Sequence, residues 1–177
     1  YTHKMEMKLT DGFAPSIWKN NVVCLRSDGI VKFDLVTHNM CLLRTGIYGA
    51  VKIWGDVVAY SDATSIKWYD LRTGVENIVV PTGVNNSPFD IAGTIITYYA
   101  GWKLITFNLM TGEKRILLDS TLLPYQYFVC STMSEDAVYW IWRNSRGDWF
   151  FARHDLYTGC IVSEALGAAI TYLNAYE

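Results

Sequence analysis

Short apolar runs of strand length recur along the chain, and turn-forming residues separate them. The stretch 50–80 shows the pattern whole. Ala50 to Trp54 is stopped by Gly55-Asp56, and Val57 to Ser61 by Asp62-Ala63-Thr64. Ile66 to Leu71 closes on Arg72-Thr73-Gly74, and Glu76 to Val80 stops at Pro81-Thr82-Gly83. The runs are rich in Val, Ile, Tyr and Trp and alternate with period two, so they predict four short antiparallel strands.

The same unit returns. Val31-Lys32-Phe33-Asp34-Leu35, Lys67-Trp68-Tyr69-Asp70-Leu71, Ile105-Thr106-Phe107-Asn108-Leu109 and Ala152-Arg153-His154-Asp155-Leu156 align on an Asp or Asn at intervals of 36, 38 and 47 residues. Four positions later stand Gly74, Gly112 and Gly159, each after a threonine, with His38 in that slot in the first copy. Upstream, Trp18, Trp54 and Ala92 each lie 16 residues before the Asp or Asn and follow Ile17, Ile53 and Ile91. A four-stranded unit repeated at about this period is the sequence signature of a propeller blade. No Ala/Leu/Glu/Lys-rich amphipathic run supports a helical solenoid.

The expected fold is therefore all-β, a β-propeller of four four-stranded blades at about 14–44, 50–80, 87–118 and 125–166 in a single domain. Strand-like ends at 1–9 and 169–177 would form a composite fifth blade or belong to a larger ring. The fourth copy departs from the pattern. Its second strand (Ala137 to Trp142) and third (Trp149 to Leu156) are separated by Arg143-Asn144-Ser145-Arg146-Gly147-Asp148, about five residues more than in the second copy. Insertions in a repeat array map to loops on one face, often the binding face.

Composition narrows the functions. The 177 residues are 51% hydrophobic and only 18% charged, with a formal net charge of −2, which suits a packed globular chain and shows no basic stripe for nucleic acid. No apolar run is long enough to cross a membrane as a helix, and the first residues do not read as a signal segment. The chain begins at Tyr1, so it is expected to be processed or part of something longer. Cys24, Cys41, Cys130 and Cys160 form no CxxC pair and lie in apolar runs, which predicts four free, buried thiols and no metal site; the alternative is one or two disulfides, which would imply an oxidising compartment.

Pro15-Ser16-Ile17-Trp18, Ile53-Trp54-Gly55-Asp56 and Tyr69-Asp70-Leu71-Arg72-Thr73-Gly74 together resemble the TolB-like propeller repeats, relatives of the WD40 type. The resemblance covers nearly the whole chain. It implies an extracytoplasmic or cell-surface setting and a role as binding platform or companion to a catalytic domain. The third copy departs at Ala92 and Asn108, and the fourth has no clear Ile-Trp pair.

For chemistry, the repeated Asp34, Asp70 and Asp155 stand at strand ends before a turn, where a short acceptor bonds backbone N–H groups, as Asn108 also can. The glycines and His38 would supply positive φ. Trp18 and Trp54 are expected to pack between blades. No catalytic constellation, phosphate loop or cofactor fingerprint stands out, and Glu135-Asp136 with Asp148 reads as surface turns rather than a glycosidase dyad. The binding surface is placed on the fourth-blade insertion, at Arg143, Asn144, Arg146, Asp148 and Trp149, because the aromatics Tyr98, Tyr99, Trp102, Tyr125, Tyr127, Trp140, Trp142 and Trp149 exceed what thin blades need. The expected function is a non-catalytic protein-binding or assembly module, with self-association through edge strands as one route. The alternatives are the propeller part of a peptide- or glycan-acting hydrolase and a carbohydrate-binding lectin. Neither nucleic-acid binding, membrane insertion nor a cofactor is expected.

Overall fold

The computed structural model describes residues 11–46, 48–80, 88–119, 127–144 and 146–167. The strand-like ends expected at 1–9 and 169–177 lie outside these residues. Sixteen strands and no helix are found among the described residues. They form four four-stranded antiparallel sheets of consecutive strands. The chain divides into two compact units, residues 1–81 and 82–177.

The first unit holds β1 (Phe13–Trp18), β2 (Asn21–Arg26), β3 (Gly29–Asp34) and β4 (Met40–Thr45), then β5 (Ala50–Trp54), β6 (Val57–Ser61), β7 (Ile66–Asp70) and β8 (Glu76–Val80). The sheets meet through β1 and β2 against β5. Val23, Leu25 and Ile30 of the first sheet and Val51, Ile53, Val58 and Tyr60 of the second form one core cluster, each no more than 3% exposed. Trp18 and Trp54 pack ring to ring at 3.9 Å and tilted by 35°, the inter-sheet role their recurrence predicts.

The second unit holds β9 (Phe89–Ala92), β10 (Ile95–Ala100), β11 (Lys103–Asn108) and β12 (Lys114–Asp119), then β13 (Tyr127–Met133), β14 (Ala137–Arg143), β15 (Trp149–Asp155) and β16 (Ile161–Gly167). Here β9 and β10 meet β13. The register locates the repeat in the fourth sheet, where sequence left it blank. Ile17 faces Val22, Ile53 faces Val58, Ile91 faces Ile96, and Met133 faces Val138. Met133 is thus the missing isoleucine, and Ser134 stands where the first unit has tryptophan.

One hydrogen-bond set closes every third-to-fourth-strand hairpin. Asp34 accepts from the Val36 and Thr37 N–H groups, Asp70 from Arg72 and Thr73, Asn108 from Met110 and Thr111, and Asp155 from Tyr157 and Thr158, all at 2.7–3.2 Å. The repeated Asp/Asn is blade hardware, as its position predicts. Four residues after the Asp or Asn the chain takes positive φ. His38 does so at 57°, beside 72–74° at Gly74, Gly112 and Gly159, and stacks on Phe33.

The near-continuous apolar strands suit sheets buried on both faces, and the inner strands other than β1 are mostly covered in this way. The fourth strands β4, β8, β12 and β16 are largely exposed. For this reason the cysteine expectation is half corrected. No disulfide joins the four cysteines, but only Cys24 is buried, Cys130 is half-buried, and Cys41 and Cys160 are exposed among the described residues. Cys41 lies on β4 and Cys160 just before β16, the outermost strands of their sheets. An apolar run cannot distinguish an outer strand from an inner one.

Candidate interaction surface

The five insertion residues fold as a single structure at the tip of the β14–β15 hairpin. From the repeat Asp to its partner across the ladder, the first three sheets span 13 residues (21 to 34, 57 to 70, 95 to 108), and the fourth spans 18 (137 to 155). The insertion lengthens the ladder as well as the loop. Seven residue pairs join β14 to β15, against six in the first and third sheets and five in the second. Arg143 and Trp149 are therefore strand residues, directly opposite each other, rather than loop residues.

The loop is closed by Asn144. Its side-chain oxygen accepts from the Arg146 N–H at 2.9 Å and the Asp148 N–H at 3.0 Å, while its amide nitrogen donates to the Asp148 carboxylate at 2.9 Å. Asn144 and Asp148 thus hold each other and are committed to shaping the turn. Gly147 has φ of 92°, and a Cβ there would come within 2.9 Å of the Arg143 guanidinium, so this glycine makes room for the arginine. Arg143 reaches back to the Gly147 carbonyl at 3.3 Å and lies 5.6 Å over the Trp149 ring. Arg146 is exposed at the tip. On the other face Trp142 and Phe150 stack at 4.1 Å with 8° between planes.

The surplus aromatics separate into two groups. Tyr98 and Trp140 are buried at 2% and 3% exposure and belong to the core. Tyr99, Trp142 and Trp149 are half-buried. Trp102 is 61% exposed, on the β10–β11 hairpin with φ of 67°. That hairpin joins second to third strand, as Asn144–Asp148 does, so Trp102 leaves the third sheet at the edge where Arg146 leaves the fourth. Tyr125 lies outside the described residues, as does the side chain of Tyr127.

Carboxylate chemistry has no support in the geometry. Asp136 ends the β13–β14 turn and Asp148 begins the far side of the β14–β15 hairpin, with all of β14 between them. Seven strand residues span roughly 20 Å, far beyond a glycosidase pair. Asp136 is bonded to Ser134 at 2.5 Å and to Arg153 at 3.5 Å. Among the described residues no group of three His, Cys, Asp or Glu is placed to hold a metal, and no helix is long and apolar enough to cross a membrane.

Sequence gave no sign of the polar cluster in the first unit. The Glu76 carboxylate accepts from Arg44 Nε at 2.8 Å and from the Tyr60 hydroxyl, and the Arg44 guanidinium lies 4.0 Å over the Tyr69 ring. Burial pushes the Tyr60 phenol far up, and donation to Glu76 adds to this. The cluster ties β4, β6, β7 and β8 together. Tyr60 recurs as Tyr98 in the third copy, but Arg44 and Glu76 have no equivalent there, so repeat analysis passes over the cluster.

The chain matches no protein-family model and no curated protein sequence. Solved structures do resemble it. TolB from Acinetobacter baumannii aligns with a TM-score of 0.66 at 16% identity over 88% of this chain and 43% of TolB. The N-terminal domain of Nup159 aligns at 0.58 and 14% over 93% of this chain and 50% of that one. Porphyromonas gingivalis dipeptidyl peptidase 4 aligns at 0.56 and 12% over 88% and 30%. The chain spans half or less of the length of each. With its four four-stranded sheets, these likenesses show the fold: a β-propeller of the WD40/TolB-like kind.

Proposed function

We propose that the chain is a non-catalytic propeller module that binds a protein partner through the hairpin edge of its second unit. One observation carries this reading. The longest ladder among the four sheets ends in an arginine packed on a tryptophan and a turn locked by Asn144, and the equivalent hairpin of the third sheet carries the exposed Trp102. Tryptophan and arginine dominate the energetic centres of protein interfaces, and a preorganised turn lowers the entropic cost of binding.

The test starts from display selection of peptide or protein ligands on the purified chain. Affinity is then measured for Trp102→Ala, Arg146→Ala and Trp149→Ala. A loss of about tenfold or more in at least two variants is expected. Unchanged affinity in all three would move the site elsewhere.

The second reading is a companion part of a hydrolase. Its support is the likeness to dipeptidyl peptidase 4 and to prolyl endopeptidases, which share 12% and 15% identity with this chain. Cleavage of peptide or glycoside substrates by the chain itself would favour an enzyme over a binding module. Glycan-array binding lost in Trp149→Ala would favour a lectin.

A further inference from the structure

The turn closed by Asn144 carries Arg146-Gly147-Asp148 at the tip of its hairpin. Its backbone is satisfied from within. The N–H groups of Arg146 and Asp148 go to the Asn144 side-chain oxygen, and the Gly147 N–H goes to the Asn144 carbonyl at 3.1 Å. The Asp148 carbonyl accepts from the Asn144 N–H at 3.0 Å, and the Gly147 carbonyl accepts from Arg143. What the turn leaves over is side-chain charge. Arg146 is exposed, and its guanidinium meets no acceptor among the described residues. Asp148 is exposed as well. Asn144 takes only its Oδ2, and Oδ1 meets no donor among the described residues.

These two charges flank Gly147, whose φ of 92° is one that L side chains rarely adopt. Two backbone steps span at most about 7 Å, so a single partner site meets both. The bonding of Asp148 decides what that site can offer it. An arginine fork needs both carboxylate oxygens, and Asn144 already holds one. A lysine is a single charge, which contributes little at an exposed carboxylate. A divalent cation anchored in the partner accepts one carboxylate oxygen as a ligand and brings the largest local charge. Arg146 has the opposite freedom, since its fork is intact and suits a bidentate carboxylate.

We infer that the partner of this edge is a protein whose site sets an acidic side chain, for Arg146, beside a bound divalent cation, for Asp148 Oδ1. The inference rests on the reading of the hairpin edge as a binding surface and names the chemistry of the partner. The turn's own bonds hold both charges in place beforehand, which lowers the cost of ordering them on binding.

Soluble ectodomains of animal adhesion receptors that hold magnesium in their ligand sites, passed over the immobilised full chain, test it. Binding in magnesium is expected, lost in EDTA, and competed by a soluble Arg-Gly-Asp peptide but not by its Arg-Gly-Glu counterpart. Asp148→Asn keeps an acceptor for Asn144 while removing the charge, and Arg146→Ala removes the guanidinium. Each should weaken binding by about tenfold or more. If Asp148→Asn disturbs the turn, Arg146→Ala carries the test, because that side chain makes no bond among the described residues. No binding by any of these ectodomains, binding that survives EDTA, or indifference to both substitutions overturns the inference. The edge itself is judged separately. Ligands selected in EDTA that lose affinity in Trp102→Ala and Trp149→Ala would uphold the edge and count against the cation; unchanged affinity in both would remove the edge.

Discussion

Asp70 shows how little a repeated acid has to do with chemistry here. Its carboxylate accepts two backbone N–H bonds, from Arg72 at 2.7 Å and Thr73 at 3.0 Å, and Asn108 makes the same pair without charge. Asp70→Ala should therefore lower the urea midpoint of unfolding, while Asp70→Asn lowers it by well under half as much. If Asn proved as damaging as Ala, charge rather than hydrogen bonding would be the role of this position. Gly29 poses a different residue-scale constraint. At φ of 151° a Cβ there would lie 1.8 Å from the Arg44 carbonyl oxygen. Backbone, unlike a flexible side chain, cannot move aside, so Gly29→Ala should destabilise by about 3 kcal/mol or more, measured in the same assay. The Asp/Asn role was legible in sequence because all its partners lie within three residues. The role of Gly29 was not, since the strand that crowds it is fifteen residues away.

At the scale of elements, the sheet-to-sheet bonds mark where sequence reading stops. Ser16 of β1 accepts from the Ile53 N–H of β5, and Asp90 of β9 from the Met133 N–H and the Thr132 hydroxyl of β13. The two serve one function with different chemistry, and the N–H partners lie 37 and 43 residues on. Neither identity nor spacing discloses such a pair. Asp90→Ala leaves the Met133 N–H and the Thr132 hydroxyl without this acceptor in a half-buried site. It should cost about 2–3 kcal/mol, more than Ser16→Ala at about 1 kcal/mol, because a charged acceptor with two donors is removed rather than a neutral one with a single donor. Equal losses in chemical denaturation would contradict that ordering. The insertion was readable as five extra residues but not as a longer ladder. Counting residues gives the surplus, and only the cross-strand register divides it between strand and loop. That division matters for the surface, because Arg143 and Trp149 are held by β pairing while Asn144 and Asp148 are spent on the turn.

Over the whole molecule, stability should respond to acid in two separate steps. His154 has its Nδ1 buried with no hydrogen-bond partner among the described residues. Burial lowers its affinity for a proton; the neighbouring Asp155 pulls the other way, and Arg115 reinforces the lowering. Unfolded, the imidazole titrates near 6.5, so below about that pH the unfolded chain binds a proton the fold resists. Stability then falls as pH drops. The carboxylates act later with the same sign. Backbone N–H bonds from Thr158 and then other partners hold Asp155 at about 2. Asp34 and Asp70 are lowered chiefly by the N–H groups of Thr37 and Thr73, while at Asp62 the bonds from Lys67, Thr64 and Ser65 outweigh burial. Their contribution is present above about pH 4, the unfolded carboxylate value, and is lost as pH falls toward 2. Unfolding free energy plotted against pH should thus decline below about pH 6.5 and decline again below about pH 4. His154→Phe should remove the first decline and leave the second. Asp155→Asn should soften the second, because asparagine keeps the turn bonds at every pH, as Asn108 does in the third sheet, and should deepen the first, because it removes the carboxylate that favours the His154 proton. A first decline that survives His154→Phe would assign it to other groups and deny the buried imidazole any part in it.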